Sequence, residues 1–298
     1  MQLISARFVA GLLVSSLWLA PTLSSAQEMA SSVPISVEAR ILLDAAGPKQ
    51  RKTLNAIYLI ACPGVGFGSG FLIDSGVIVT NAHVVGPCNE RNLLGINVAN
   101  EHIGFSHLVI DGQRDLALLV PDRELGKGFR MASVDRPEPG MTVSTWGYPF
   151  GYAGLSPLLS VGYLSGYRDE TAKGVSVKHL VVNGAFNHGN SGGPLLIART
   201  NKVVGVVVST FNFYPPSVPQ LIGFLSSQPS GFMVAKVHYS DGSERELSEA
   251  QVTGRVLGEF YQKTQVMIGE AVAASEVRAL IREHKNELPQ RTMADKHR

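Results

Sequence analysis

Short runs of valine, isoleucine and leucine, cut by glycine-bearing turns, set the strongest limit on how this chain can fold. They fall at Ala56–Ala61, Gly70–Asp74, Val77–Asn81, Leu116–Val120, Thr142–Gly147, Leu159–Gly166, Lys178–Asn183, Pro194–Ala198 and Val203–Thr210. Each is long enough for a strand and too short for an ordinary helix, so the pattern predicts an all-β domain. Asp74-Ser75-Gly76 reads as a tight hairpin turn, because glycine accepts positive φ. No repeat of solenoid period and no low-complexity tract interrupts the series.

The 298 residues are 45% hydrophobic, enough for a sizeable core in one or two domains. A net charge of +2 without a long basic run gives nucleic-acid binding no electrostatic support. At the start, Arg7 precedes an apolar stretch, Phe8 to Leu23, and the small residues Ser24-Ser25-Ala26. This reads as a signal peptide over 1–26, cleaved after Ala26; a retained anchor is the alternative. No later stretch would span a bilayer, so the expectation is an exported protein, periplasmic or extracellular, with no stable membrane span.

Export lets the only two cysteines, Cys62 and Cys88, form a disulfide. The bond would close a loop of about 25 residues, worth on the order of 3 kcal/mol, and would stiffen the segment carrying His83. Two isolated cysteines do not make a zinc ligand set, and no metal or cofactor is expected.

After Phe211 the character changes. Tyr214-Pro215-Pro216-Ser217-Val218-Pro219 cannot continue a central strand. Met233–Tyr239 reads as a strand. Ser248 and Gln251 form a capping box before a helix with Val252, Val256 and Phe260 on one face, although Gly254 and Gly258 weaken it. A second helix, capped by Ser275, carries Val277, Leu280, Ile281 and Leu288; residues 290–298 form a polar tail.

The strongest chemical signal is Gly189-Asn190-Ser191-Gly192-Gly193-Pro194. A serine hydroxyl attacks well only when a base removes its proton and donors meet the developing oxyanion. Glycines permit the sharp turn that would converge the N–H groups of Gly189 and Ser191, with Asn190 between them, on one point. Upstream, Val79-Thr80-Asn81-Ala82-His83 ends a strand and offers the base. Arg114-Asp115-Leu116-Ala117-Leu118-Leu119 places an aspartate at the mouth of an apolar strand, suited to orient the imidazole. Asp111 is the competing acid, but it precedes Gly112 and reads as a turn residue. His102, His107, His179 and His188 lack a comparable string.

These strings resemble the HtrA/Deg-like branch of the trypsin-like serine peptidases. Trp146-Gly147-Tyr148-Pro149-Phe150-Gly151, Ser160–Gly166, Asn183–His188 and Ile268–Ser275 are similar to further segments of that branch. The resemblance implies two six-stranded β-barrels of the chymotrypsin type with a C-terminal helix. It implies a serine endopeptidase domain over 27–289, with His83, Asp115 and Ser191 as its triad and protein or peptide substrates. Two departures stand out: residues 211–265 read as an insertion, and no PDZ domain is expected after the closing helix. Asn190 replaces the aspartate with which digestive relatives bind a freshly cut N-terminus, so that activation switch is missing. By resemblance, Ala185 and Phe186 lie at the floor of the primary pocket and Val206, Val207, Val208 and Ser209 along its wall. With no acid there, a small or apolar residue before the cut is expected. The insertion is expected to form one rim of the cleft.

Two other readings start from the same residues. Gly189-x-Ser191-x-Gly193 fits the nucleophile elbow of an α/β-hydrolase, but that fold needs its histidine downstream, and His238, His284 and His297 lack supporting context. A silent or autoinhibited binding protein on the trypsin fold is the other. The oligomeric state has no signal in the sequence.

Overall fold

The structure, a computed structural model, describes residues 36–289 except 64–65, 87, 135, 151, 153–155, 173–174, 185, 188, 211–216, 230–231, 239–242 and 264–267. The expected signal peptide (1–26) and polar tail (290–298) lie outside the described residues.

Two antiparallel sheets carry the fold. The first contains β1 (Ile57–Cys62), β2 (Gly66–Leu72), β3 (Ile78–Thr80), β4 (Leu94–Asn97), β5 (His102–Ile103), β6 (Phe105–Asp111) and β7 (Leu116–Pro121), in the order β5-β4-β1-β2-β3-β7-β6. Its seventh strand is the two-residue β5, a short extension of the six expected. The second sheet is a closed barrel of six strands. These are β8 (Thr142–Gly147), β9 (Leu158–Ala172), β10 (Val175–Asn183), β11 (Pro194–Ile197), β12 (Val203–Thr210) and β15 (Ile268–Ala273). The order β10-β15-β12-β11-β8-β9 closes through the β9–β10 pair. The all-β, two-barrel architecture is therefore present. Gly76 makes the β2–β3 turn with φ of 87°, as its sequence context predicts.

Each sheet closes on its own core. Ile57, Ile60, Phe71, Ile78, Leu116 and Leu118 fill the first; Val143, Leu164, Leu180, Val182, Leu195 and Phe186 fill the second. Gly269 on β15 leaves the room that Phe186 needs, since a Cβ there would come within 2.1 Å of the ring.

Helices sit outside the sheets. The strand reading does not anticipate α1 (Val37–Ala45) and α2 (Pro48–Leu54), yet both carry start signals. Ser36 Oγ accepts the Ala39 N–H, and Pro48 opens α2, where a missing N–H costs nothing. Their Ala39 and Leu54 bury against Val98 and the edge of Trp146. A single turn, α3 (Ala82–Val85), follows β3.

The segment between β12 and β15 has its own secondary structure. It contains α4 (Ser217–Ser227), the hairpin of β13 (Met233–His238) and β14 (Glu244–Ser248), and α5 (Glu249–Lys263). The capping box is present: the Ser248 N–H donates to Gln251 Oε1 at 3.0 Å, and the Gln251 N–H to Ser248 Oγ at 3.3 Å. Gly254 lies where α4 and α5 touch, and a Cβ there would be 2.6 Å from Ser226 N. Close helix contact, not chain weakness, explains that glycine. Val256 and Phe260 differ from expectation in being exposed, because α5 turns only part of its surface to α4 and the hairpin.

The last helix, α6 (Ala274–Glu283), follows β15 directly. Ala273 occupies its N-cap, and Ser275, expected to cap it, lies inside the helix with its hydroxyl buried and making no hydrogen bond among the described residues. The helix stops at Glu283; Leu288 is reached by turns and still buries in the first core. Cys62 and Cys88 are bonded, tying the end of β1 to the segment after α3. Replacing both by serine should lower the unfolding free energy by about 3 kcal/mol in urea denaturation.

Candidate active site

The first barrel supplies a histidine and an acid. β3 ends at Thr80, and the buried Val84 and Val85 pin the following turn so that His83, between its two ends, stays half exposed. Asp115 closes the turn between β6 and β7, whose last paired residues are Asp111 and Leu116. It sits at φ of 51°, a left-handed position usually given to glycine, and a non-glycine residue there costs on the order of 1–2 kcal/mol. Its contacts hold it there. His83 Nδ1 lies 2.8 Å from Asp115 Oδ2, the His83 backbone N–H donates to Oδ1 at 3.0 Å, and Asn81 Nδ2 donates to the Asp115 carbonyl at 2.8 Å. Asp111, the competing acid, instead accepts the N–H groups of Gln113 and Arg114, a turn role.

The second barrel supplies the serine. Ser191 lies in the turn before β11, with left-handed glycines on either side: Gly189 at φ of 94° and Gly192 at 84°. Neither could bear a side chain, since a Cβ on Gly189 would be 2.2 Å from the Tyr148 carbonyl and one on Gly192 2.1 Å from the Ser69 carbonyl. Among the described residues, no backbone hydrogen bond uses the N–H of Gly189 or Ser191. Asn190 between them is buried, with Oδ1 against Gly147.

Ser69 of β2 joins the halves. Its N–H donates to the Ser191 carbonyl at 2.8 Å, its hydroxyl donates to the Gly189 carbonyl at 2.7 Å, and that same hydroxyl accepts the Tyr148 N–H at 2.9 Å. Beside it, Gly68 is wedged between Val84, the neighbour of His83, and the Ser191 carbonyl; a Cβ there would meet them at 2.6 and 3.0 Å. The histidine turn and the serine turn thus flank one stretch of β2. The serine hydroxyl points elsewhere, donating to the Val208 carbonyl at 2.6 Å, and no hydrogen bond joins it to His83 among the described residues.

The residues expected to line the primary pocket are distributed differently. Ala185 and the Ser209 side chain lie outside the described residues. Phe186, Val206 and Val207 have their side chains in the hydrophobic cores. Only backbone, together with the half-buried Val208, is left to face a substrate from this set. The sequence reading overlooked Ser69, whose Gly-Ser-Gly context was its one signal, and an exposed stacked pair, Phe67 and Phe150, with ring centres 5.8 Å apart. Phe150 N lies 2.7 Å from where a Gly189 Cβ would be, so this pair borders the serine turn. His179 is buried, its Nδ1 3.9 Å from Glu270, and desolvation drives its pKa down despite that carboxylate. No cluster of three His, Cys, Asp or Glu side chains suited to a metal occurs among the described residues.

Residues 68–206 match the family described as trypsin-like peptidase domain. A protein of Halomonas elongata named "Probable periplasmic serine endoprotease DegP-like" is 33% identical over 140 residues, 47% of this chain and 28% of that protein. Serine protease HTRA4 of Mus musculus is 32% identical over 161 residues, 50% of this chain and 32% of that one. The chain therefore spans about a third of the length of these curated relatives. Among solved structures, the active form of the Rv3671c protease from M. tuberculosis aligns with a TM-score of 0.53 at 18% identity, covering 87% of this chain and 91% of that one. At that identity the likeness speaks for the fold alone.

Ser69→Ala removes one donor and one acceptor from a buried junction and strands the Gly189 carbonyl. About 2–3 kcal/mol of stability should be lost in chemical denaturation, with the serine turn losing hydrogen-exchange protection first.

Proposed function

We propose that this chain, whose residues 68–206 match the trypsin-like peptidase domain, is an exported serine endopeptidase of the HtrA type working through His83, Asp115 and Ser191. The observation that carries the reading is the contact of the His83 imidazole with Asp115, with Val84 beside His83 packed on the stretch of β2 that also holds the Ser191 turn.

In the reaction, Ser191 Oγ leaves the Val208 carbonyl and turns to His83 Nε2. His83 takes the hydroxyl proton as Oγ bonds to the scissile carbonyl carbon, and the carbonyl π electrons move onto oxygen. The N–H groups of Gly189 and Ser191 receive that oxyanion. Asp115 accepts the Nδ1–H, fixes the tautomer and stays ionised beside the imidazolium. Collapse of the intermediate expels the amine, which takes the proton from His83; water then cleaves the acyl-enzyme by the same route.

The departing hydroxyl frees the Val208 carbonyl for a substrate N–H. β11 covers β12 only as far as Val206, so an extended peptide can add beyond it as a strand. The exposed rings of Phe67 and Phe150 favour small or apolar side chains near the cut. The inserted helices and hairpin form one rim of the cleft, since they leave β12 and return on β15. Export fits the N-terminal apolar segment, the disulfide and the name of the Halomonas relative, "Probable periplasmic serine endoprotease DegP-like". Among the described residues no helix is long and apolar enough to cross a membrane.

One observation favours a second reading, a silent trypsin-fold binding protein: Ser191 Oγ is engaged by Val208 rather than by His83. A fluorophosphonate probe separates the two. Labelling lost in Ser191→Ala supports the enzyme; a wild type that neither labels nor cleaves casein supports the binder. Phe150→Ala should raise KM for apolar peptides about tenfold with kcat little changed. Deleting 213–263 should alter cleavage-site selectivity, and an unchanged cleavage profile would remove the rim from the proposal.

A further inference from the structure

The turn that presents Asp115 is gripped from outside by a group the triad does not use. Arg114, the preceding residue, is mostly buried and meets three carboxylates. Its Nη1 lies 2.7 Å from Asp111 Oδ2. Its Nη1 and Nη2 donate to Glu283 Oε2 and Oε1, both at 2.8 Å, a two-pronged match of planar groups. Its Nε faces Glu276 Oε2 at 3.5 Å. Two of these carboxylates belong to α6, which follows the last strand of the second barrel and buries Val277 and Leu280 in the first core. The fork is therefore anchored on a rigid helix, while Asp111 braces the turn from the β6 side.

We propose that Arg114 is a positioning residue for the acid: the grip of Asp111, Glu276 and Glu283 on its guanidinium keeps the β6–β7 turn in the form that presents the Asp115 carboxylate to His83. This rests on the reading of Asp115 as the triad acid. Three observations point the same way. The turn ends in a left-handed, non-glycine residue that its surroundings must hold in place. The adjoining side chain meets three carboxylates at once, two of them on α6. Without it, Asp111, Glu276 and Glu283 would be left facing one another beside the catalytic carboxylate, and their repulsion would open the turn. An exposed ion pair would carry little weight; Glu283 is 48% exposed, but Arg114 and Asp111, 2.7 Å apart, both have side chains only 17% exposed.

The test uses Arg114→Gln, Arg114→Lys, Glu283→Gln and Glu276→Gln in the full chain, with Asp115→Asn alongside. Peptide hydrolysis, thermal unfolding and the far-downfield NMR signal of the His83 Nδ1 proton are measured for each. Arg114→Gln should lower kcat about 10- to 100-fold with KM unchanged, the loss expected from a displaced catalytic group, and should weaken or shift the Nδ1 proton signal. Arg114→Lys, which keeps the charge but not the fork, should recover part of both. If Arg114→Gln does not fold, Glu283→Gln and Glu276→Gln carry the same test from the helix side, each with a smaller kcat loss. A lowered melting temperature with wild-type kcat and an unmoved Nδ1 signal would make the cluster a mere staple and overturn the proposal. Asp115→Asn tells the two failures apart. Activity retained in Asp115→Asn sinks the triad reading itself, whereas activity lost there but kept in all the other variants sinks only the role of Arg114.

Discussion

Ser69, a fully buried residue on β2, fixes the relation between the two halves of the candidate site. Its N–H, hydroxyl and carbonyl are all used, the last accepting Thr80 Oγ1 at 2.7 Å. Through these bonds one strand of the first barrel is registered against the serine turn, the Tyr148 backbone and the end of β3. The contact tolerates no extra atoms: Gly68, Gly147 and Gly192 would each bring a Cβ within 3 Å of a neighbour. Left-handed glycines and a buried hydroxyl are thus two sides of one close approach, and the chemistry on either side inherits its precision from them.

Much of this was legible in the chain. Strand positions in the second barrel, the Gly76 turn and the Ser248–Gln251 box follow from local rules because each depends on a few neighbouring residues. The meeting of His83 with Asp115 was legible for a different reason, since each sits at the end of an apolar strand whose partner is another such strand. β4, β5 and β6 were not legible: Gly95, Asn97, His102 and His107 interrupt their apolar content, and pairing holds them instead, β4 with β1, β5 with β4 and β6 with β7. Likewise α1 and α2 are helices with weak patterning that owe their place to Val98 and Trp146.

Phe186, Val206 and Val207, expected at the primary pocket, have buried side chains: Gly269 leaves the space that Phe186 fills, and strand alternation sends the consecutive Val206 and Val207 into different cores. The engagement of Ser191 by Val208 is a contact between the serine turn and β12, and no local pattern announces it. Arg114 is similar. Asp111 is a partner close in sequence, but the other two, Glu276 and Glu283, lie more than 160 residues away on α6.

The position of β15 has a consequence for how the molecule is assembled. β10 and β12 each pair with β15 on one side, so neither is covered there until the chain beyond residue 268 arrives. During synthesis the second sheet waits as an open ribbon with two bare rims while the whole insertion is made. Such rims invite pairing with other chains, and contacts so distant in sequence form slowly. The first sheet, complete by Pro121, has no such delay, so maturation should proceed in two stages with closure of the second barrel as the slow one.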